Sequence, residues 1–108
     1  MVVTIAARKA GKTERLQRAI AAAMQRLASY AAGHAGRFLV FGSAARGELR
    51  FDSDFDVVVA FPKAAERTAR DYAEAISIEL GLKPDIILIG DACSSLLERV
   101  HRDAVVLQ

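Results

Sequence analysis

The strongest constraint in this 108-residue chain is a short stretch in which two aspartates lead straight into an apolar run, Asp54-Phe55-Asp56-Val57-Val58-Val59-Ala60. A β-branched run without polar alternation reads as a strand covered on both faces. Residues two apart on a strand share a face, so Asp54 and Asp56 project the same way, ~7 Å apart along the chain. Like charges held side by side at the start of a buried strand are destabilising unless a cation neutralises them. Mg²⁺ suits the purpose, because it takes a few carboxylates and completes its shell with water and phosphate oxygens.

The segments around this strand predict a layered fold. From Thr13, a candidate N-cap, to about Ala32, residues Leu16, Ile20, Met24, Leu27 and Ala31 recur at helical spacing. Arg15, Arg18, Gln25 and Arg26 take the other side, and Gly33-His34-Ala35-Gly36 ends the helix. Residues 1–12 read as a loose arm, or a short strand at Val2–Ile5. Arg37 to Phe41 is a buried first strand running into Gly42-Ser43, and Phe55 to Phe61 is the second. Pro62 opens a helix with Ala65, Ala69, Tyr72, Ile76 and Leu80 on one face and Gly81 as its stop. Asp85 to Ile89 is the third strand. Asp91 is the expected cap of a last helix with Leu96, Leu97 and Val100 inward, and Val105 to Leu107 supplies a short final strand.

Strands two and three are separated by a whole helix and are expected to run parallel through a right-handed crossover. Strands one and two are joined by a short segment. They run antiparallel if their chemistry shares one end of the sheet. The expectation is an α/β (α+β) fold, a small mixed sheet of three main strands flanked by helices, in one domain over residues 1–108.

Composition narrows the function classes. At 53% hydrophobic and 26% charged the chain is globular. Much of the apolar share is alanine, so the core is thin for its length and leaves room for a partner chain or a second copy. Net charge is +2, with Lys and Arg scattered along the sequence, so no direct nucleic-acid binding is expected. The single Cys93 excludes an internal disulfide and suits a reducing cytoplasm. Arg8, Lys9, Lys12, Arg15 and Arg18 interrupt any secretory leader. No apolar run approaches the ~20 residues of a membrane span.

A second group of residues complements the aspartates. Gly42 ends a strand without a side chain, so a phosphate can approach the backbone. Ser43 adds a hydroxyl, the residues after it can begin a short helix with free N–H groups, and Arg46 lies one turn on. Asp85 stands at the start of the third strand. Parallel neighbours start at the same sheet edge, so Asp85 can reach the space beside Asp54 and Asp56. Three carboxylates facing a phosphate-cradling turn describe a two-metal phosphoryl-transfer site.

Gly42-Ser43-Ala44-Ala45-Arg46-Gly47, five residues, then Ser53-Asp54-Phe55-Asp56 and an apolar strand resemble the signature of the DNA polymerase beta-type nucleotidyltransferase superfamily. Within it the chain looks like the minimal nucleotidyltransferase (MNT) antitoxins, and the match runs from Phe38 to about Leu88. Val57 stands where leucine or isoleucine is more usual, a trivial departure. The resemblance implies a nucleotidyltransferase in which Gly42 and Ser43 hold the triphosphate of ATP and Arg46 assists. It implies two Mg²⁺ ions, both held by Asp54 and Asp56, with Asp85 on the catalytic ion and helping to activate the attacking hydroxyl. It further implies transfer of AMP to a tyrosine of a partner, a HEPN-domain ribonuclease toxin, which silences that toxin. Two alternatives stay open: an antitoxin that binds nucleotide but acts by contact, and a nucleotidyltransferase acting on a small molecule or an RNA end.

Other residues carry weaker signals. Ala6 to Thr13 fits a loose phosphate-loop pattern, but its bulky filling gives poor backbone access, and a basic helix start explains it better. Asp52 reads as a solvated loop carboxylate, and Arg46 is nearly as well explained as a surface arginine. His34 and His101 lack ligand spacing. Cys93 reads as small and half-buried, and Tyr30 and Tyr72 as core or partner-contact residues.

Overall fold

The computed structural model describes residues 5–47 and 54–108, with side chains from residue 14 onward. Helix α1 spans Ile5–Ala32. It starts well before Thr13, which lies inside the helix and is not its cap. Ala6, Ala7 and Ala10 are strong helix formers, and one Gly11 is too weak a breaker to interrupt them. The expected arm over residues 1–12 is therefore helical from Ile5 onward, and the part before Ile5 lies outside the described residues.

Strand β1 (Arg37–Phe41) is followed by a four-residue helix α2 (Ser43–Arg46), and β2 covers Phe55–Ala60. Helix α3 (Lys63–Glu79) leads into β3 (Pro84–Leu88). Gly81 adopts φ 75°, while the N–H groups of Gly81 and Leu82 bond back to Ile78 and Ser77. This is a left-handed C-terminal cap whose trailing Leu82 is buried. A 3-10 turn at Ile89–Asp91 precedes α4 (Ser94–Asp103) and β4 (Val105–Leu107). Asp91 thus belongs to the turn. The α4 cap position is Cys93, with no side-chain cap bond.

The sheet has four strands in the order β3-β2-β1-β4. β2 pairs antiparallel with β1 and parallel with β3, as the crossover argument requires, and β4 lies antiparallel on the outer edge of β1. The expected three-stranded sheet thus gains the final strand as a fourth member, because Val105 to Leu107 pair with Val40 to Phe38.

Each side of the sheet carries its own apolar cluster. On one side Phe38, Val40, Phe55, Val57 and Val59 pack with Ile20, Ala23 and Leu27 of α1 and Ala69, Ala73 and Ile76 of α3. On the other, Leu39, Phe41 and Val58 pack with Val100 of α4 and the half-buried Leu96. The two centre strands are covered front and back, which is why their sequences run apolar without alternation. Tyr30 and Tyr72 stack at 4.4 Å beside the first cluster, and His34 stacks on Tyr30 at 4.0 Å. Among the described residues no helix is long and apolar enough to cross a membrane.

Leu27 has no exposed surface and joins α1 to the sheet and α3. Leu27→Ala is expected to lower the unfolding free energy by about 2–5 kcal/mol in urea titration. A loss below ~1 kcal/mol would show that α1 is not part of the core.

Candidate functional site

The site begins where β1 stops. Gly42 takes φ 74° and ψ −150°, a backbone conformation that L side chains rarely adopt. A Cβ on Gly42 would overlap the Oδ2 atom of Asp56. The missing side chain therefore lets the turn lie directly against the Asp56 carboxylate. Ser43 starts α2, no side chain caps that helix, and the Arg46 N–H donates to the Gly42 carbonyl at 3.2 Å.

Phe55, Val57 and Val59 face α1 and α3, so alternation turns Asp54, Asp56 and Val58 toward the α4 side. Asp54 stands exposed just before β2, and Asp56 is half-buried within it. In the parallel ladder Asp56 is level with Asp85, and in the antiparallel one with Phe41. Two carboxylates thus sit on neighbouring strands at the same height. The Asp56 carboxyl is pushed up to about 6, first by burial, then by the charge and hydrogen bond of Asp85 and the charge of Asp54, with Arg99 opposing.

Gly42, Ser43, Arg46, Asp54, Asp56 and Asp85 all line one cleft of about 640 Å³. Asp52 lies outside the described residues. Phe41, Ile87 and Leu96 give the cleft apolar surface, and Ser95, Arg99, Arg102 and Asp103 come from α4. The α4 residues escape a reading of the sequence because a polar stripe on an amphipathic helix looks like solvent-facing surface. The signal that finds them is the spacing of Ser95, Arg99 and Arg102, which puts them on one face once Leu96 and Val100 are known to point inward.

Cys93 is exposed on the rim, not half-buried. Its position ahead of α4 holds it out of the core, and the Ser95 hydroxyl, followed by the Leu96 N–H, draws its pKa down.

The donor set fits a hard divalent cation: all three acidic groups offer oxygen, and Asp56, raised first by burial, is raised further by neighbouring carboxylates whose charge a cation relieves. The turn at Gly42 leaves backbone rather than side chain beside Asp56. The carboxylates share one wall without closing into a cage, and among the described residues no three His, Cys, Asp or Glu side chains form one.

Known proteins share the fold and include nucleotidyltransferases. Residues 19–107 match the family model described as a nucleotidyltransferase domain. A solved structure described as a proposed minimal nucleotidyltransferase shares 34% identity at a TM-score of 0.66, covering 82% of this chain and 93% of that one. A toxin–antitoxin crystal structure with AMP-PNP matches at 22% identity and TM-score 0.51, over 68% of this chain and 59% of that one. A mutant of the toxin–antitoxin pair MntA–HpeT matches at 19% and 0.52, over 67% and 58%. The last two are likenesses of fold. No curated protein matches the chain.

Gly42→Ala should both strain the turn, by about 1–3 kcal/mol, and displace the Asp56 carboxylate. The expected result is a stable fold by circular dichroism with nucleotide binding lost, and unimpaired binding would contradict the close approach. A second test uses pH. Because the folded-state pKa of Asp56 is raised, the native protein keeps a proton that the unfolded chain has released between about 4 and 6. The group's contribution to stability therefore falls as pH rises through that window. Without divalent cations, Asp56→Asn should remove a pH-dependent loss on the order of 1 kcal/mol, discounted for solvent screening of a half-buried group. Parallel pH–stability curves for the two proteins would contradict the assignment.

Proposed function

Because the chain belongs to the nucleotidyltransferase domain family, we propose that it is an antitoxin enzyme that transfers AMP from ATP to a tyrosine hydroxyl of a partner toxin. The observation that carries this reading is the single cleft in which three aspartates face the Gly42-Ser43 turn. The partner class is supported by two structures of the same fold, both described as toxin–antitoxin assemblies, one of them with AMP-PNP. A toxin with a HEPN domain and a cytoplasmic setting are the corresponding expectations for this chain.

In this reading Gly42 and Ser43 bind the triphosphate through backbone and hydroxyl, with Arg46 assisting. Asp54 and Asp56 would hold two Mg²⁺ ions, and Asp85 would join them at the catalytic one. When bound, the ions neutralise the carboxylates and the charge that develops on the reacting phosphoryl oxygens. Asp85 orients the acceptor hydroxyl and draws off its proton as the oxygen attacks the α-phosphorus. The bond from that phosphorus to the bridging oxygen breaks, pyrophosphate leaves, and a phosphodiester joins AMP to the acceptor. The open cleft gives the acceptor access from outside, which suits a partner that brings its own binding surface.

Co-expression with the neighbouring reading frame, followed by intact mass measurement of its product, tests this reading. The partner is expected to gain AMP with the wild-type chain, and Asp54→Asn should reduce the rate of modification at least about a hundredfold. An unmodified partner that is still neutralised would instead establish inhibition by contact. Label passing from α-labelled ATP into a small molecule or RNA end, with none in protein, would reassign the acceptor.

A further inference from the structure

The aspartate wall has a counterpart across the cleft that the reaction outlined so far does not use. Helix α4 lies on the sheet with Val100 buried against Leu39, Phe41 and Val58 and with Leu96 packed beside it. Residues three, four and seven apart share a helix face, so this packing leaves Ser95, Arg99 and Arg102 as a stripe on the cleft side. The two arginines differ in their surroundings. Arg102 is tied to Asp103, Nε to Oδ2 at 3.5 Å, whereas Arg99 forms no ion pair with a described residue. Arg99 lines the same cleft as Asp54, Asp56 and Asp85.

Resting on the nucleotidyltransferase reading, we infer that Arg99, supported by Arg102, binds the β- and γ-phosphates of the incoming nucleoside triphosphate and steadies the pyrophosphate as it leaves. A triphosphate entering a cleft walled by Asp54, Asp56 and Asp85 meets like charge. Its α-phosphate must nevertheless reach that wall, because the reaction occurs there. The terminal phosphates do not react, and a cationic surface opposite the carboxylates is where they gain most. Guanidinium offers a planar fork of donors that matches phosphate oxygens, and its charge is constant over the working pH range. Arg46, on α2, serves the turn side of the cleft, so α4 supplies the second basic wall. The apolar surface of Phe41, Ile87 and Leu96 offers no competing hold on the phosphates.

The test is calorimetric titration of ATP and of AMP, each with Mg²⁺, into wild type, Arg99→Ala, Arg99→Lys and Arg102→Ala. Thermal melting serves as the check on folding. Arg99 is exposed, so the variants are expected to melt with the wild type. Arg99→Ala should weaken ATP about tenfold or more and leave AMP nearly unchanged, with Arg99→Lys in between and Arg102→Ala showing a smaller loss. In turnover the deficit should appear mainly in KM for ATP. Equal ATP affinity in wild type and Arg99→Ala overturns the inference alone, as does an equal loss for ATP and AMP, which marks a general disturbance of the cleft. Absence of any ATP binding by the wild type overturns the nucleotidyltransferase reading and this inference with it.

Discussion

Parallel pairing of β3 beside β2, with Asp85 level with Asp56, forces two carboxylates onto adjacent strands at one height. Adjacent strands lie roughly 4.8 Å apart, a distance at which like charges repel appreciably once water is partly excluded. The structure tolerates this only because the same strands bury Val57, Val58 and Val59 on both faces, where apolar packing outweighs local repulsion. Burial raises the proton affinity of Asp56, and the charges of Asp85 and Asp54 raise it further. A protein of this size carries about 5–15 kcal/mol of net stability, so a standing electrostatic cost of this kind points to a functional use.

The rest of the site answers that crowding from two directions. At the end of β1 the chain turns through a glycine with positive φ, and the turn can lie against Asp56 only without a side chain. From the opposite side α4 brings arginines to the cleft while its apolar face closes the second core. One helix thus couples packing to electrostatics. Its inward residues fix its position on the sheet, and that position decides what its outward residues can touch. A cleft with acidic and basic walls is suited to a metal-bound polyanion, for which each wall supplies the charge that the other lacks.

Much of this was legible in the sequence, because the relevant signals are local. The Asp-x-Asp spacing, the Gly42-Ser43 turn and the valine run each follow from strand periodicity or backbone freedom within a few residues. The parallel placement of β3 followed from the length of the intervening helix. What escaped depends on contacts distant in sequence. Thr13 has the chemistry of a cap, yet alanine propensity carries α1 past it. Asp91 also has the chemistry of a cap, but a 3-10 turn intervenes before α4. Arg99 and Arg102 share a helix face with Ser95, but an arginine facing a cleft and one facing bulk water have the same helical spacing. Likewise, whether Val105 to Leu107 join the sheet depends on an edge of β1 more than sixty residues away in sequence.

The central claim is that Asp54, Asp56 and Asp85 together hold divalent cations opposite a triphosphate seated on Gly42 and Ser43. A crystal structure of the protein grown with Mn²⁺ and a non-hydrolysable ATP analogue, read through the anomalous signal of manganese, tests it most directly. The account predicts manganese bound by these three carboxylates, with the triphosphate oxygens completing the shell beside the Gly42 turn. Manganese bound elsewhere, or a nucleotide seated away from this cleft, would contradict it.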